Sequence, residues 1–482
     1  METGRTGLLI DGQWQAPSNV VTVWDKYTQQ EIAKVAVATP ADVDRAITGA
    51  QAASRTVLPA ARRQEILLKA ADLLVAEQEE IVALYIAETG FTRTDAVNEL
   101  KRTADLYRLC AGEAVRIAGE EIPVAATPGS ENRMAFTTRV PVGIVGAIAP
   151  FNAPLSTVAH KVGPALAAGN AVVLKPAEVT PLCAMAVADI FQRAGLPAGY
   201  LQVVCGSGRT TGDALVRDNR IRFFTFTGST AVGRMIKANS GIARVHLELG
   251  ANSASIVAND ADLDLVARLA TKAGYRKAGQ VCTSVQRLLV EKGVFDELTE
   301  KMRRNVGALR FGDPRAQGTD VGPMIAAKEA ERAASWIAEA RRGNDNVMGG
   351  QLDGSVLEPA LIIDPLPDIR LLNEEAFAPV VTLVPVDSVD QAVQQVNDGQ
   401  YGLQTGLFTR DLDRAFHAAK SLQVGGVIIN DTSSYHVDSM PYGGVKDSGI
   451  GVEGPKFAVQ DMTDPKLIVL NLNTPKASKE GN

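Results

Sequence analysis

A chain of 482 residues carrying 49 Lys and Arg against 55 Asp and Glu has a formal charge of −6. It shows no long block of one sign, which argues against a binder of nucleic acid or of anionic membranes. The length exceeds what one hydrophobic core organises, so two or three domains are expected. Cys110, Cys183, Cys205 and Cys282 are widely spaced, form no C-x-x-C pair and are too few to staple the chain. That pattern favours a reducing compartment and gives no support to structural zinc, so no metal is expected. Met1 to Ile10 lacks a basic segment followed by an apolar core, and no apolar stretch reaches bilayer length. A cytoplasmic protein without a membrane partner is expected.

In chain order, Leu8 to Trp14 and Val20 to Trp24 read as short strands around the Asp11-Gly12 turn, and Pro40-Ala41-Asp42 opens an amphipathic helix. Ala61 to Glu88 and Arg93 to Gly119 carry apolar residues at helical spacing and predict paired long helices. Ile122 to Val145 reads as an extended hairpin with Glu131-Asn132 between its arms. Its complement is expected at Lys466 to Asn473, either pairing with an edge in another subunit or forming an ordinary internal strand. The polar Thr474 to Asn482 is expected to fray. Between Val142 and Gly250, apolar β runs (Ala171 to Leu174, Leu201 to Val204, Phe223 to Thr227) alternate with helices (Pro181 to Ala194, Gly212 to Arg217). This predicts a parallel, doubly wound sheet with ligands beyond the carboxyl ends of its strands. A second α/β series spans Ala254 to Asn430, with helices at Asp262–Gly274, Val294–Val306 and Ala326–Arg341 and strands near Leu288–Val290, Val380–Val384 and Val427–Ile429.

Several segments carry chemistry-bearing residues. Thr227-Gly228-Ser229 follows a buried-type strand and opens a helix, a place where backbone N–H groups meet a phosphate; it lacks G-x-G-x-x-G spacing, and glycine serves many such turns for its backbone angles alone. Lys175 and Glu178 follow another strand of the same sheet, where a solvated loop is the plainer alternative. Glu248 lies in an apolar strand end, where desolvation raises a carboxyl pKa and suits it to accept a proton, although a buried cation is an equal explanation. Asn152 stands between Pro150 and Pro154, which restrict its backbone. Cys282 follows a helical run, Ala267 to Ala278, in the small-residue loop Gly279–Ser284. A lone intracellular cysteine is more often a small buried hydrophobe than a nucleophile.

Taken in order, Pro150-Phe151-Asn152, Lys175-Pro176-Ala177-Glu178, Phe226-Thr227-Gly228-Ser229, Leu247-Glu248-Leu249-Gly250, Gly279-Gln280-Val281-Cys282 and Glu374-Glu375-Ala376-Phe377 resemble the successive motifs of the NAD(P)-dependent aldehyde dehydrogenase superfamily. The resemblance runs to the Met440–Lys446 loop and so covers nearly the whole chain. It implies two doubly wound α/β domains plus a small β oligomerisation arm: residues 1–121 and 146–250 for the dinucleotide, 251–455 for catalysis, and 122–145 with 460–482 for a homodimer or homotetramer contact. It implies that Cys282 attacks the aldehyde carbon, that the hemithioacetal yields a hydride to the nicotinamide, and that water cleaves the resulting thioester. Asn152 and the Cys282 N–H are the implied oxyanion donors and Glu248 the implied base. Relatives that pass the acyl group to coenzyme A generally lack that glutamate. Lys175 and Glu178 are implied at the adenosine ribose, Gly228 and Ser229 at the pyrophosphate, and Glu375 with Phe377 at the nicotinamide ribose. Glu178 favours NAD, since a carboxylate accepts from a 2′-hydroxyl and repels a 2′-phosphate, with NADP admitted by rotation of the side chain.

The chain departs from the family pattern at Ala251-Asn252, Phe151, Ala378 and Val452, the last beside Glu453, a candidate supporting residue. Val437 to Gly444 is similar to the lactaldehyde, phosphonoacetaldehyde and non-phosphorylating glyceraldehyde-3-phosphate dehydrogenase branch, implying a small polar or anionic aldehyde. Val281, where some anion-selective members carry arginine, stands against that. Arg108, His160, Arg287 and His436 are candidate substrate contacts. An apolar or aromatic aldehyde is the alternative, with Tyr107, Phe151 and Tyr435 as candidate walls. A catalytically silent nucleotide-binding protein of the same fold is the reading from a different class.

Overall fold

The structure is a computed structural model that describes residues 6–16 and 19–472. Leu8–Ile10 and Gln13–Gln15 form a hairpin whose turn residues, Asp11 and Gly12, both have positive φ, as a two-residue turn between twisted strands requires. Val20–Trp24 pairs with Glu31–Ala36, a strand the sequence reading had not singled out. Thr39 then caps the Pro40–Ser54 helix: its hydroxyl accepts from Asp42 N, while Asp42 accepts from Thr39 N at 2.8 Å. The run expected from Ala61 to Glu88 is two helices, Ala60–Ala76 and Gln78–Thr89, parted at Glu77, and the run expected from Arg93 to Gly119 ends earlier, as Arg93–Ala114; Gly90, in the left-handed conformation, closes Gln78–Thr89.

The first large sheet is built on five parallel strands in the order Leu201–Val203, Ala171–Lys175, Ile144–Ile148, Phe223–Thr227 and Arg244–Glu248. The first three of these strands, and all but one residue of each of the other two, are sunk in the core, because helices cover both faces and leave no side for alternating polar residues. Successive strands run outward from Ile144–Ile148 and then restart on its other side. That reversal opens a crevice beyond the carboxyl ends of Ile144–Ile148 and Phe223–Thr227. Asn152, Lys175, Gly228 and Glu248 all lie at those ends. The expected Gly212–Arg217 helix is shorter, Asp213–Val216, and is preceded by a wider turn at Gly208–Gly212.

Six residues after Glu248 the chain enters Ala254–Val257, the centre of a second sheet. Arg287–Glu291, Val380–Val386 and Ala360–Ile363 lie to one side and Gln404–Phe408 and Gly426–Ile429 to the other, all parallel, with Val347–Met348 antiparallel at the far edge. The carboxyl edge of the first sheet therefore faces the amino edge of the second. Late in the chain Gly449–Ile450 returns to the first sheet, pairing antiparallel with Leu247 and Glu248.

The arm differs from the expected hairpin. Ile144–Ile148 belongs to the main sheet, and Arg133–Pro141 pairs over nine residues with Thr463–Asn471 of the same chain, with Glu121–Ile122 on its other side. Alternation in sequence marks a strand and its faces but does not name its partner. Asn473 and the tail Thr474 to Asn482 lie outside the described residues.

Candidate active site

The Cys282 loop begins where a helix stops. Asp262 caps Leu263–Tyr275, and the helical run expected to reach Ala278 ends at Tyr275, because Lys277, Ala278 and Gly279 adopt φ of 53°, 53° and 67°. Left-handed backbone costs a residue with a Cβ roughly 1–2 kcal/mol. Lys277 offsets that cost. Its buried ammonium bonds the Glu99 carboxylate and the Asn152 carbonyl, the latter at 2.9 Å, and lies over the Tyr85 and Phe91 rings. Glu99 also accepts from Tyr85 Oη at 2.7 Å and from the N–H groups of Leu155 and Ser156. Burial works to raise the Glu99 pKa, but Lys277 and these donors hold it below the ordinary carboxylate value. Gly279 completes the turn against Ala378, whose carbonyl oxygen would lie 1.9 Å from any Cβ there.

Cys282 is half-buried, and its Sγ lies 3.0 Å from Tyr442 Oη. Burial pushes the thiol up to about 11; the charges of Glu248 and Glu375 work in the same direction, and the Tyr442 hydrogen bond works against it. Asn152 is tied to the same loop through its Nδ2, which donates to Gln280 O at 2.8 Å. A side-chain amide has two N–H bonds, so one donor remains.

Glu248 is 3 % exposed, and its Oε2 is buried with no partner. Its pKa stands well above the ordinary carboxylate value, first through burial and then through the charge of Glu453. Glu453 behaves oppositely: despite its burial, it is held below the ordinary value by Lys161, whose Nζ lies 3.0 Å from Glu453 Oε1. Lys161 is fully buried and also donates to Thr227 Oγ1 at 2.7 Å.

The residues expected at a dinucleotide lie along the crevice of the first sheet. Ser229 precedes the Thr230–Asn239 helix and makes no side-chain cap bond, so the first-turn N–H groups keep their capacity for an anion. Gly233 lets that helix press on Leu249, which would lie 2.3 Å from a Cβ. Lys175 is buried with its ammonium on the Pro176 carbonyl, and burial lowers its pKa; Glu178 is half-buried beyond it. Glu375 accepts from Ala251 N at 2.8 Å, while burial raises its carboxyl to about 7. Phe377, at φ 48°, sets its ring edge-on to Phe151 at 5.9 Å. Cys282, Glu375 and Phe377 line one cleft together with Ala251 and Val281. An uncapped helix start, an ammonium short of partners and a carboxylate at the cleft are a donor and acceptor set that fits a pyrophosphate flanked by two riboses.

The candidate substrate contacts divide. Arg108 is on the surface, paired with Asp72 and Asp105, and Tyr107 is wholly inside the first core against Phe191. Arg287 is half-buried, its guanidinium on the Asn252 carbonyl, and Tyr435 is 47 % exposed. His160 and His436 instead join Arg102 around Asp438, at 2.9, 3.4 and 2.6 Å, and His436 lies edge-on to Tyr442. His160, His436 and Asp438 are the one metal-type cluster among the described residues, but Arg102 already engages both Asp438 oxygens. Sequence reasoning missed Lys161, the Glu99–Lys277 pair and the Tyr442 contact. The available signal was Lys161 itself, which with His160 interrupts the apolar run Val158–Leu166, where an ammonium needs a partner.

The family model described as the Aldehyde dehydrogenase family matches residues 14–468. The chain is 46 % identical over 467 residues to a 3-sulfolactaldehyde dehydrogenase of Priestia aryabhattai, covering 97 % of this chain and 98 % of that protein. The NADP-dependent glyceraldehyde-3-phosphate dehydrogenase of Bacillus halodurans C-125, solved with NADP, superposes with a TM-score of 0.95 at 34 % identity, covering 97 % and 99 % of the two chains. Aldehyde dehydrogenase 21 of Physcomitrella patens, solved with its product succinate, superposes with a TM-score of 0.94 at 37 % identity, again covering 97 % and 99 %.

Proposed function

Because this chain belongs to the aldehyde dehydrogenase family, we propose that it oxidises a short aldehyde bearing an anionic group to the carboxylate, through a thioester on Cys282 and with NAD preferred to NADP. The observation that carries this reading is one cleft lined by Cys282, Glu375 and Phe377, with Glu248 near enough for its charge to act on the sulfur.

The Cys282 thiolate adds to the carbonyl carbon, and the π electrons move to oxygen, where the remaining Asn152 N–H and the Cys282 backbone N–H donate. The nicotinamide, when bound, supplies the acceptor that takes the aldehyde to the oxidation level of the acid. Glu248 then takes a proton from the water that attacks the thioester; C–O forms, C–S breaks, and Cys282 is regenerated. The raised pKa of Glu248 makes it a stronger base than an ordinary carboxylate. Glu178 supports NAD, since its charge opposes a 2′-phosphate. Residues 1–121 and 146–250 serve as the cofactor-binding domain, 251–455 as the catalytic domain, and 122–145 with 460–482 as the self-association arm.

The substrate class draws on the similar proteins named above, whose sulfolactaldehyde, glyceraldehyde 3-phosphate and succinate are all short anions. The apolar alternative loses one of its three walls, because Tyr107 lies inside the first core against Phe191. The test is a panel of sulfonated, phosphorylated, carboxylated and aromatic aldehydes with NAD and NADP, followed by the absorbance of the reduced cofactor. Saturable cofactor binding without turnover on any member would overturn the assignment in favour of a silent nucleotide-binding protein.

A further inference from the structure

Cys282 poses a problem that the assigned residues do not solve. Burial disfavours the thiolate that the reaction needs, and of the groups that act on the sulfur few favour it. The charges of Glu248 and Glu375 oppose ionisation, and Arg276 favours it only through its charge, its guanidinium being bonded to Ser434. Among the described residues, one side chain makes a hydrogen bond to Sγ: Tyr442, at 3.0 Å.

The phenol is placed to serve as the donor. It is half-buried, and desolvation together with the charges of Cys282, Glu248 and Glu453 raises its pKa well above the ordinary phenol value, so it keeps its proton at neutral pH. A phenol that stays protonated donates to a thiolate, and hydrogen bonds to an ionised partner are roughly twice as strong as neutral ones. Its position is fixed from three sides. The Tyr442 N–H donates to Glu453 O at 3.1 Å, and Tyr442 O accepts from Glu453 N at 2.6 Å. The ring stands edge-on to His436 at 4.7 Å. Gly443 next to it is pressed so closely on Gly451 that a Cβ would lie 2.4 Å from the Gly451 carbonyl oxygen. Arg102, beyond Asp438, is the remaining charged group that acts on the phenol.

We propose that Tyr442 is a catalytic hydrogen-bond donor to the Cys282 thiolate, a role that rests on Cys282 being the nucleophile. When the S–H bond breaks its proton passes to water, and the phenol O–H turns onto the negative sulfur. When sulfur bonds to the aldehyde carbon the charge leaves it, and the donor is released. The bond thus stabilises the attacking thiolate and positions Sγ in the cleft.

The test is the rate of Cys282 alkylation by iodoacetamide in the full chain from pH 7 to 10, read by mass spectrometry. Cys110, Cys183 and Cys205 are fully buried, so the reaction reports Cys282. Tyr442→Phe keeps the ring and removes only the donor. It is expected to lower the alkylation rate about three- to tenfold at each pH, a thiol shifted up by about one unit being partly offset by its greater nucleophilicity, and to lower kcat/KM in parallel. 3-Fluorotyrosine at position 442, a stronger donor of nearly the same shape, is expected to shift alkylation at a given pH the opposite way, and it serves if the phenylalanine variant fails to fold. Superimposable profiles for the wild type and the variants would overturn the role of Tyr442. Full turnover by Cys282→Ala would instead overturn the nucleophile, so the two failures are distinguishable.

Discussion

Glu248 and Glu453 share one buried pocket, yet their carboxyls shift in opposite directions because Lys161 is bonded to only one of them. The unpaired member is the one facing chemistry. Glu248→Gln is therefore expected to slow thioester hydrolysis about 10²–10⁴-fold, the usual weight of a general base, while the first burst of reduced cofactor survives; equal loss of both phases in stopped flow would contradict the assignment. Glu453→Gln removes a charge that raises the Glu248 pKa and frees Lys161 to face it. Both changes lower that pKa, so the acidic limb of the kcat–pH profile, where the base is lost by protonation, is expected to move to lower pH, and an unmoved limb would refute the coupling. Cys282→Ala is expected to abolish turnover. The candidate site residues were legible because each sits in a short motif of fixed local context. Lys161 was not, since the sequence shows a lysine in an apolar helix but not the distant carboxylate, 292 residues later, that makes its burial tolerable.

The three-residue left-handed turn before Cys282 is held by an ion pair that originates in another element. Glu99 is on the Arg93–Ala114 helix, and Lys277 reaches it from the turn. Removing one partner of a buried pair leaves an uncompensated charge and costs about 3–5 kcal/mol. Glu99→Gln is expected to lower Tm accordingly and to depress kcat through the displaced loop. The pH dependence has a definite sign: the folded-state pKa of Glu99 is depressed, so its contribution is present above the unfolded value near 4.5 and lost as pH falls through the folded one. The Tm gap between wild type and variant should narrow on acidification below about 4.5, and a gap that widened would refute the pairing. Periodicity misread this element. Lys277 and Ala278 are good helix formers, and nothing local distinguishes a helix continuing from one stopped by a partner 178 residues away.

At the scale of the molecule, the arm presents an edge strand without a partner among the described residues. Thr463–Asn471 pairs on one side only, and Leu467 (57 % exposed), Val469 (49 %), Leu470 (43 %) and Leu472 (52 %) leave both of its faces apolar. Such an edge is a template for association. Light scattering at micromolar concentration is expected to give a dimer or tetramer, and lysines at Leu467 and Val469 to shift it toward monomer; a monomeric wild type would sink the assignment. The doubly wound sheet was legible from its run of buried β segments between helices. Lys466 to Asn473 was legible as the arm's complement, but that it pairs within its own chain was not, because register joins residues that sequence order keeps more than 300 apart.

The Gly449–Ile450 strand, lying against Leu247 and Glu248, also carries a consequence for synthesis. A ribosome adds roughly 5–20 residues per second, so the first sheet emerges about 10–40 s before the strand that closes its edge. During that interval the backbone beside Glu248 is open, and the Lys161 ammonium has no Glu453 to meet. The nascent chain can fold around the crevice of its first sheet early, but the surroundings of the proposed base, Glu248, are complete only when nearly all of it has been made, and an edge left bare for so long is where a chaperone or a second nascent copy would first take hold.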